Sequence, residues 1–169
     1  MKNILPEVKL KQSLEEAFIH LKRLLYAGKN IKSFFPLSED FINGIDDEKI
    51  EHLDQFIYRF MKLQDCLGLR LFPAVLENLQ EEYKTRSFLD ILNRLEQLGV
   101  IESAYIWQEI RETRNNFTHE YPENTKENIM ALNELYNKTA DLVRCFKSAA
   151  YYINANLKIN VQTIPDWPD

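Results

Sequence analysis

The scarcity of helix-breaking residues is the feature that most constrains the fold of this chain. Its 169 residues include only four glycines and six prolines, so long segments run without interruption. Glycine and proline mark most turns, and an all-β chain of this length needs many of them. The pattern therefore favours an all-α fold. The chain has the length of one domain and is long enough to bury a substantial core.

Apolar residues recur at helical spacing in five segments of the chain. We predict helices over residues 6–35, 46–83, 87–98, 103–120 and 124–157. Pro73 is expected to kink or break the second helix, and Gly99 is suited to end the third as its C′ residue. Long helices joined by short connections predict an antiparallel four-helix bundle with one short accessory helix.

The chain contains no internal repeat, no low-complexity linker and no other sign of a domain boundary. We therefore predict one helical domain over residues 1–157, followed by a tail over residues 158–169. The tail reads NVQTIPDWPD from Asn160 onward and is too rich in proline to be helical. We expect the tail to pack loosely or to pair with a partner.

The charge is acidic overall but unevenly distributed. A formal net charge of −5 argues against a strongly basic protein that coats DNA. Residues 17–38 nevertheless carry four basic side chains and no acid, whereas residues 39–54 carry seven acids against one lysine. Two interpretations remain open: a local basic surface, or ordinary solvated helix faces.

Nothing in the sequence indicates a metal, a cofactor or a membrane. Cys66 and Cys145 are far apart and lack metal-ligand spacing, so we expect two buried free thiols. There is no P-loop and no His/Cys/Asp/Glu set with metal-ligand spacing. The N-terminus lacks the apolar run of a signal peptide, and no apolar stretch is long enough for a transmembrane helix. We expect a cytoplasmic protein.

Charged residues occupy apolar stripes on two predicted helices. On the fourth helix, Arg114 falls among apolar positions, which are Ile106, Trp107, Ile110 and Phe117. The second helix has a plain core face formed by Leu53, Phe56, Phe60, Leu63, Leu67 and Leu71. Its opposite stripe consists of Tyr58, Met61, Leu69, Phe72 and Leu76, with Asp65 in the middle. A helix that is apolar on two sides is buried on two sides.

Arginine is rarely buried without a partner, so its position predicts an ion pair or a subunit interface. Asp65 is the natural candidate to pair with Arg114. The second apolar stripe most simply meets a second copy of the protein. The alternative is that the pair is only a stabilising salt bridge.

The segment RNNFTHEY, residues 114–121, has the residue types for phosphate chemistry. Pro122 disfavours helix at the residue before it, so the helix ends near Tyr121 and His119 lies in the last turn. A histidine there suits proton transfer, and Arg114 suits binding of phosphate oxygens. Arg111 and Asn115 share the polar side of His119, and Asn115 can orient the imidazole or a ribose hydroxyl.

These residues are sufficient for metal-independent cleavage of a phosphodiester by its neighbouring 2′-OH, but they do not exclude other reactions. A lone histidine near a helix end is more often structural than catalytic. The other histidines, His20 and His52, lie in long amphipathic helices without matching polar neighbours. We interpret both as bystanders.

The same residues resemble a known family. An arginine, then four residues, a histidine, one residue and a tyrosine at the end of a bundle helix is the signature of HEPN-domain proteins. The sequence is similar in particular to HepT toxins of prokaryotic HEPN/nucleotidyltransferase toxin–antitoxin pairs. Arg114, His119 and Tyr121 occupy the defining positions, and Asn115 is a residue that the family prefers after the arginine. Residues 58–77 also resemble the second-helix region of a HepT-like subgroup.

The resemblance implies a metal-independent endoribonuclease of a type VII-like toxin–antitoxin system. It implies a homodimer in which two copies of the motif line one cleft for RNA. Arg114 and His119 would be catalytic, with Asn115, Asp65 and Arg111 in support. Tyr121 would be the residue that a nucleotidyltransferase antitoxin modifies with AMP, and the added charge would block the cleft.

Two other hypotheses remain open. Some HEPN-like proteins would act as non-catalytic subunits that bind a nucleotide or present a substrate to a nucleotidyltransferase. An open cleft at the motif would favour the enzyme, and a motif buried under the tail would favour the subunit. The third hypothesis is a purely structural helical bundle, in which Arg114→Ala would destabilise the fold and do little else.

Overall fold

The computed structural model describes residues 5–116 and 126–168, and the regular elements in these ranges are helical. The α-helices are α1 (Pro6–Ile31), α2 (Glu39–Asn43), α3 (Asp47–Cys66), α4 (Phe72–Asn78), α5 (Phe88–Gln97), α6 (Ala104–Asn116) and α7 (Lys126–Leu157). A 3-10 turn, Lys32–Phe34, follows α1, and a π-helical turn, Leu67–Leu71, joins α3 to α4. The prediction of an all-α fold is confirmed for the described residues.

Side-chain caps begin several of these helices. Asp46 starts α3 by accepting a hydrogen bond from the backbone N–H of Lys49 at 2.9 Å. Ser87 starts α5 in the same way, by accepting from the N–H of Asp90 at 3.2 Å. Gly99 follows α5 with φ of +77°, the left-handed conformation expected of a C′ glycine. The start of the accessory helix and its terminating glycine are therefore confirmed.

The first predicted helix extends too far. In the structure α1 ends at Ile31 and is followed by a 3-10 turn before Pro36, because a proline disfavours helical backbone at the residue before it. A short helix that was not predicted, α2, then begins at Ser38. The Ser38 hydroxyl accepts a hydrogen bond from Phe41 N–H at 3.2 Å.

A π-helical turn interrupts the second predicted helix just before Pro73. The N–H of Phe72 bonds to the carbonyl oxygen of Leu67, five residues back, and Pro73 then lies in the first turn of α4. The extra residue rotates everything after it by about 100° relative to α3. Phe72 and Leu76 are consequently buried in the core, so their assignment to a second, outward stripe is wrong. The segment also ends at Asn78, short of the predicted end at Tyr83.

The core lies where α1 packs along α3 and α4, and where α6 packs along α7 and α5. The predicted core face of α3 and the π-helical turn is confirmed: Leu53, Phe56, Phe60, Leu63, Leu67 and Leu71 are all buried. Trp107 of α6 is completely enclosed and meets Phe72 edge to face, with ring centroids 4.7 Å apart. Gly68 in the π-helical turn faces the same indole. The glycine in this turn therefore leaves room for the Trp107 indole.

The C-terminal tail is part of this core. Trp167 is 7% exposed, and its ring lies 5.9 Å from that of Phe56 and 5.6 Å from that of Tyr136. The indole also occupies the space where a Cβ of Gly28 would be. The expectation of a loosely packed tail is wrong because its isoleucines and tryptophan bury apolar surface even though its prolines prevent a helix.

Both cysteines are free and buried, as predicted. Burial raises the pKa of the Cys66 thiol, and that of the Cys145 thiol, to about 12. Among residues 5–116 and 126–168, none of the helices combines the length and the apolar character needed to cross a membrane.

Candidate functional site

Helix α6 positions the arginine that the sequence singled out. The helix begins where Glu96 accepts a hydrogen bond from Ala104 N–H at 2.6 Å and Ser103 accepts one from Ile106 N–H at 3.3 Å. Its buried side consists of Ala104, Trp107, Ile110 and Thr113. Arg114 therefore lies beside the apolar stripe rather than within it. Thr113 takes the buried position, with its hydroxyl donating to the backbone oxygen of Glu109 at 2.9 Å.

The predicted pair between Arg114 and Asp65 is present. Arg114 Nη2 lies 3.3 Å from Asp65 Oδ2, and the two side chains are 29% and 36% exposed. Arg114 Nη1 also donates to Asn115 Oδ1 at 3.4 Å. The structure thus brings together three of the candidate residues at the end of α6. The pair is half-buried, so solvent screens it in part.

One nitrogen of this guanidinium has no partner. Arg114 Nε is buried and makes no hydrogen bond within the described residues. A guanidinium carries five N–H donors, and the two contacts to Asp65 and Asn115 leave others for a ligand. A carboxylate that holds an arginine from one side orients its remaining donors, which suits recognition of a phosphate or a developing oxyanion.

Arg111 has a different environment from the one expected. Its guanidinium carbon lies 4.5 Å from the ring centroid of Phe88, at the start of α5. A cation in this position is attracted to the face of the aromatic ring. Arg111 therefore joins α6 to α5, and it lies one helical turn before Asn115 on the exposed side of α6.

The remaining predicted site residues, His119 and Tyr121, lie outside the described residues. The same is true of Phe117 in the predicted apolar stripe and of the predicted end of the helix near Tyr121. Their roles stay predictions from the sequence.

A polar cluster on α1 and α3 escaped the sequence reasoning. His20 Nδ1 lies 3.4 Å from Arg59 Nη1, and His20 Nε2 lies 3.6 Å from Glu16 Oε1. The expectation that His20 has no polar neighbours is wrong. The i, i+4 spacing of Glu16 and His20 could have predicted one of these contacts, whereas Arg59 reaches His20 only when α3 packs against α1.

The electrostatics of the cluster define the state of His20. Burial lowers the pKa of His20 below its ordinary value; Glu16 opposes this shift, whereas Arg59 and Lys62 add to it. An arginine only donates hydrogen bonds, so the facing Nδ1 accepts and the proton of the neutral ring is on Nε2, towards Glu16. Glu16 is in turn bonded to Arg70.

A groove of about 1180 Å³ lies elsewhere, between α1 and the tail. Its floor is apolar and includes Phe18, Leu25 and Ile159, and its rim carries lysines such as Lys22 and Lys158. The residues that line it do not include Asp65, Arg114 or Asn115. The predicted site is therefore an exposed surface at the end of α6, separate from this groove.

Within the described residues, no group of three or more His, Cys, Asp or Glu side chains is placed to hold a metal ion. Comparison with protein-family models, with curated proteins and with solved structures finds no match to this chain.

Proposed function

We propose that the protein is a metal-independent endoribonuclease of the HEPN class. In this proposal its helices form an antiparallel four-helix bundle with α5 as the short accessory helix. It acts in the cytoplasm as the HepT-like toxin of a type VII-like toxin–antitoxin pair. A nucleotidyltransferase antitoxin neutralises it by attaching AMP to Tyr121.

The observation that carries the proposal is the contact between Asp65 and Arg114. Arg114 lies in the last turn of α6, immediately before the segment that contains Asn115, His119 and Tyr121, and Asp65 contacts it from α3. The pair was predicted from the positions of both charges in apolar stripes, and its arginine belongs to the segment that resembles the family motif. A partly exposed arginine that a carboxylate holds in place is suited to bind an anion there.

The proposed reaction is attack of a ribose 2′-OH on the adjacent phosphorus. The 2′-oxygen–phosphorus bond forms as the bond from phosphorus to the 5′-oxygen breaks, which leaves a 2′,3′-cyclic phosphate and a 5′-hydroxyl. His119 accepts the proton that leaves the 2′-OH and donates the proton that the 5′-oxygen gains. Arg114 stabilises negative charge on the phosphate oxygens. Asp65 and Asn115 are positioning residues, and Arg111 supports α6 through Phe88.

The proposed assembly is a homodimer whose two motifs line one cleft. Leu69, in the π-helical turn that follows Asp65 along the chain, is 70% exposed. Leu69 belongs to the outward apolar stripe that is predicted from the sequence to contact a second copy. The dimer would supply the local basic surface that the net charge of −5 does not.

The runner-up is a non-catalytic subunit of a nucleotidyltransferase, which would have its motif covered by the tail. The tail contacts described above are instead made by Trp167 to Gly28, Phe56 and Tyr136. Arg114 remains partly exposed. These contacts favour the enzyme over the subunit.

The test is RNA cleavage by the purified protein in EDTA, compared with its His119→Ala and Arg114→Ala variants. We expect the wild type to produce cyclic-phosphate ends, and each variant to lose activity by at least about a hundredfold. Lys49→Gln is the matched control, since it removes one charge from the far end of α3, about 24 Å along the helix from Asp65.

Intact RNA after incubation with folded, unmodified wild-type protein would contradict the proposal. So would cleavage that the two variants retain, because it would originate from a contaminant or from other residues.

A further inference from the structure

Two neighbouring cations on α3 have no acidic partner among residues 5–116 and 126–168. Arg59 and Lys62 contact the ring of Tyr58, at 4.9 Å and 5.5 Å from its centroid. Among the described residues, neither forms a salt bridge with a carboxylate, whereas the nearby Arg70 is bonded to Glu16. Like charges three residues apart on a helix repel each other. An anion bound between them would relieve this repulsion.

Arg59 is held in a fixed position. Its Nη1 lies 3.4 Å from the ring nitrogen of neutral His20, and its Nε is buried without a hydrogen-bond partner in the described residues. A neutral imidazole orients the guanidinium without cancelling its charge. Arg59 therefore keeps its full charge in a fixed position.

Tyr58 adds an aromatic surface to these cations. Tyr58 is 49% exposed, so its ring is accessible to a ligand. Cations interleaved with an exposed aromatic ring are the usual means of binding single-stranded nucleic acid, in which bases stack on the ring and phosphates contact the cations. The combination points to single-stranded nucleic acid more than to a free anion.

The cluster is aligned with the candidate site. Tyr58 precedes Asp65 by seven residues on α3, so the two positions face nearly the same direction and lie about 10 Å apart along the helix. Lys62 lies between them, one turn from Asp65. At roughly 3.4 Å per stacked nucleotide, this separation corresponds to about three nucleotides.

We propose that Tyr58, Arg59 and Lys62 form an RNA subsite about three nucleotides from the phosphate held by Arg114. Tyr58 stacks on a base, Arg59 and Lys62 bind the adjoining backbone phosphates, and His20 positions Arg59. The substrate is therefore a single strand, since a paired base cannot stack on a side chain. This subsite rests on the proposed nuclease function and extends it to substrate choice.

A second protein subunit is the competing occupant of this surface. Charged residues are depleted from the centres of protein interfaces, and two unpaired cations beside Tyr58 fit such a centre poorly. Exposed Leu69 lies eleven residues, or about 16 Å of helix, beyond Tyr58, so a subunit interface can be centred there rather than on the Tyr58 cluster.

The experiment measures binding of a fluorescein-labelled, unstructured RNA 12-mer by anisotropy at several salt concentrations. The full chain carries His119→Ala throughout, so that the RNA stays intact. We expect Tyr58→Ala to weaken binding about tenfold and Tyr58→Phe to bind like the parent, because phenylalanine keeps the stacking surface. Lys62→Gln and Arg59→Gln should each reduce the slope of log affinity against log salt by about 0.7.

Lys49→Gln is the control on the same helix, about 20 Å from Lys62, and should leave affinity at or near the parent value. Equal binding by the Tyr58→Ala and Tyr58→Phe variants, or unchanged salt slopes, overturns the subsite. Loss of binding that follows loss of the dimer, measured by light scattering, also overturns it, because the surface would then be a protein interface.

Cleavage by the unmutated chain separates the two proposals. If the unmutated protein cleaves RNA but its Tyr58, Arg59 and Lys62 variants bind RNA normally, the proposed subsite is wrong and the proposed nuclease function stands. If the variants change RNA binding but the unmutated protein does not cleave RNA, the proposed nuclease function is wrong and the RNA-binding cluster stands. A protein that neither binds nor cleaves RNA removes both.

Discussion

Trp167, in the tail, and Arg114, at the end of α6, are held in place by different kinds of interaction. Trp167, in the tail, is enclosed by Gly28, Phe56 and Tyr136, and its own Nε1 is buried without a hydrogen-bond partner among the described residues. Arg114, at the end of α6, is half-exposed and depends on Asp65 and a neighbouring amide. Trp167 is held by apolar packing, whereas Arg114 is held by an ion pair and a hydrogen bond.

The difference separates residues that stabilise the fold from residues available to a ligand. A buried indole contributes through the apolar area it removes from water, and nothing in its surroundings is left for another molecule. A partly exposed ion pair contributes little to stability because solvent screens it and its side chains lose entropy. Arg114 is therefore better explained by binding than by folding, and this contrast can be tested by substitution.

The largest effect on stability should come from Trp167→Ala. Removing an enclosed tryptophan leaves a cavity and exposes its neighbours, so we expect the free energy of unfolding to fall by about 3 kcal/mol or more. Urea denaturation followed by circular dichroism measures the change. A loss under about 1 kcal/mol would mean that the tail is only loosely attached, and the contrast with Arg114 would disappear.

Gly28→Ala should change the free energy of unfolding less than Trp167→Ala does. The sign of the change depends on whether Trp167 is present. A Cβ at position 28 would overlap Cη2 of Trp167, so the indole or the helix must move. We expect a loss of about 2 kcal/mol in the wild-type chain. In a Trp167→Ala background the same change should stabilise α1 by about 0.8 kcal/mol, because alanine favours helix over glycine.

The four chains of this double-mutant cycle are compared by urea denaturation. Destabilisation of similar size in both backgrounds would show that Gly28 is needed for another reason, and that the tail does not restrict this position.

The two regions also differ in how far the sequence predicted them. The core face of α3, the start of the short helix near Ser87 and its end at Gly99 follow from local periodicity and capping rules, and all were predicted. The Asp65–Arg114 pair was predicted because charges in apolar stripes require partners. A rule of this kind needs only the two helix patterns, and no knowledge of how the helices are arranged.

Other features depend on tertiary structure that no local rule contains. The π-helical turn adds a residue before Pro73 and moves Phe72 into the core, so the outward stripe predicted from a regular helix is only partly correct. Gly28 looks like an ordinary helix residue until Trp167, distant in the sequence, is placed against it. The His20–Arg59 contact is of the same kind, since its residues belong to different helices.

The smallest effect on stability, and the sharpest contrast with Trp167, is expected from the Asp65–Arg114 pair. A cycle of Asp65→Asn, Arg114→Gln and the double variant should give a coupling free energy below about 1 kcal/mol in urea denaturation, as for other partly exposed pairs. On RNA, Asp65→Asn should lower kcat about tenfold with little change in KM, because the amide cannot orient the guanidinium as the carboxylate does. A coupling of about 3 kcal/mol or more would instead identify a structural ion pair. That result, with kcat unchanged in the Asp65→Asn variant, would place Arg114 with Trp167 among the residues that stabilise the fold.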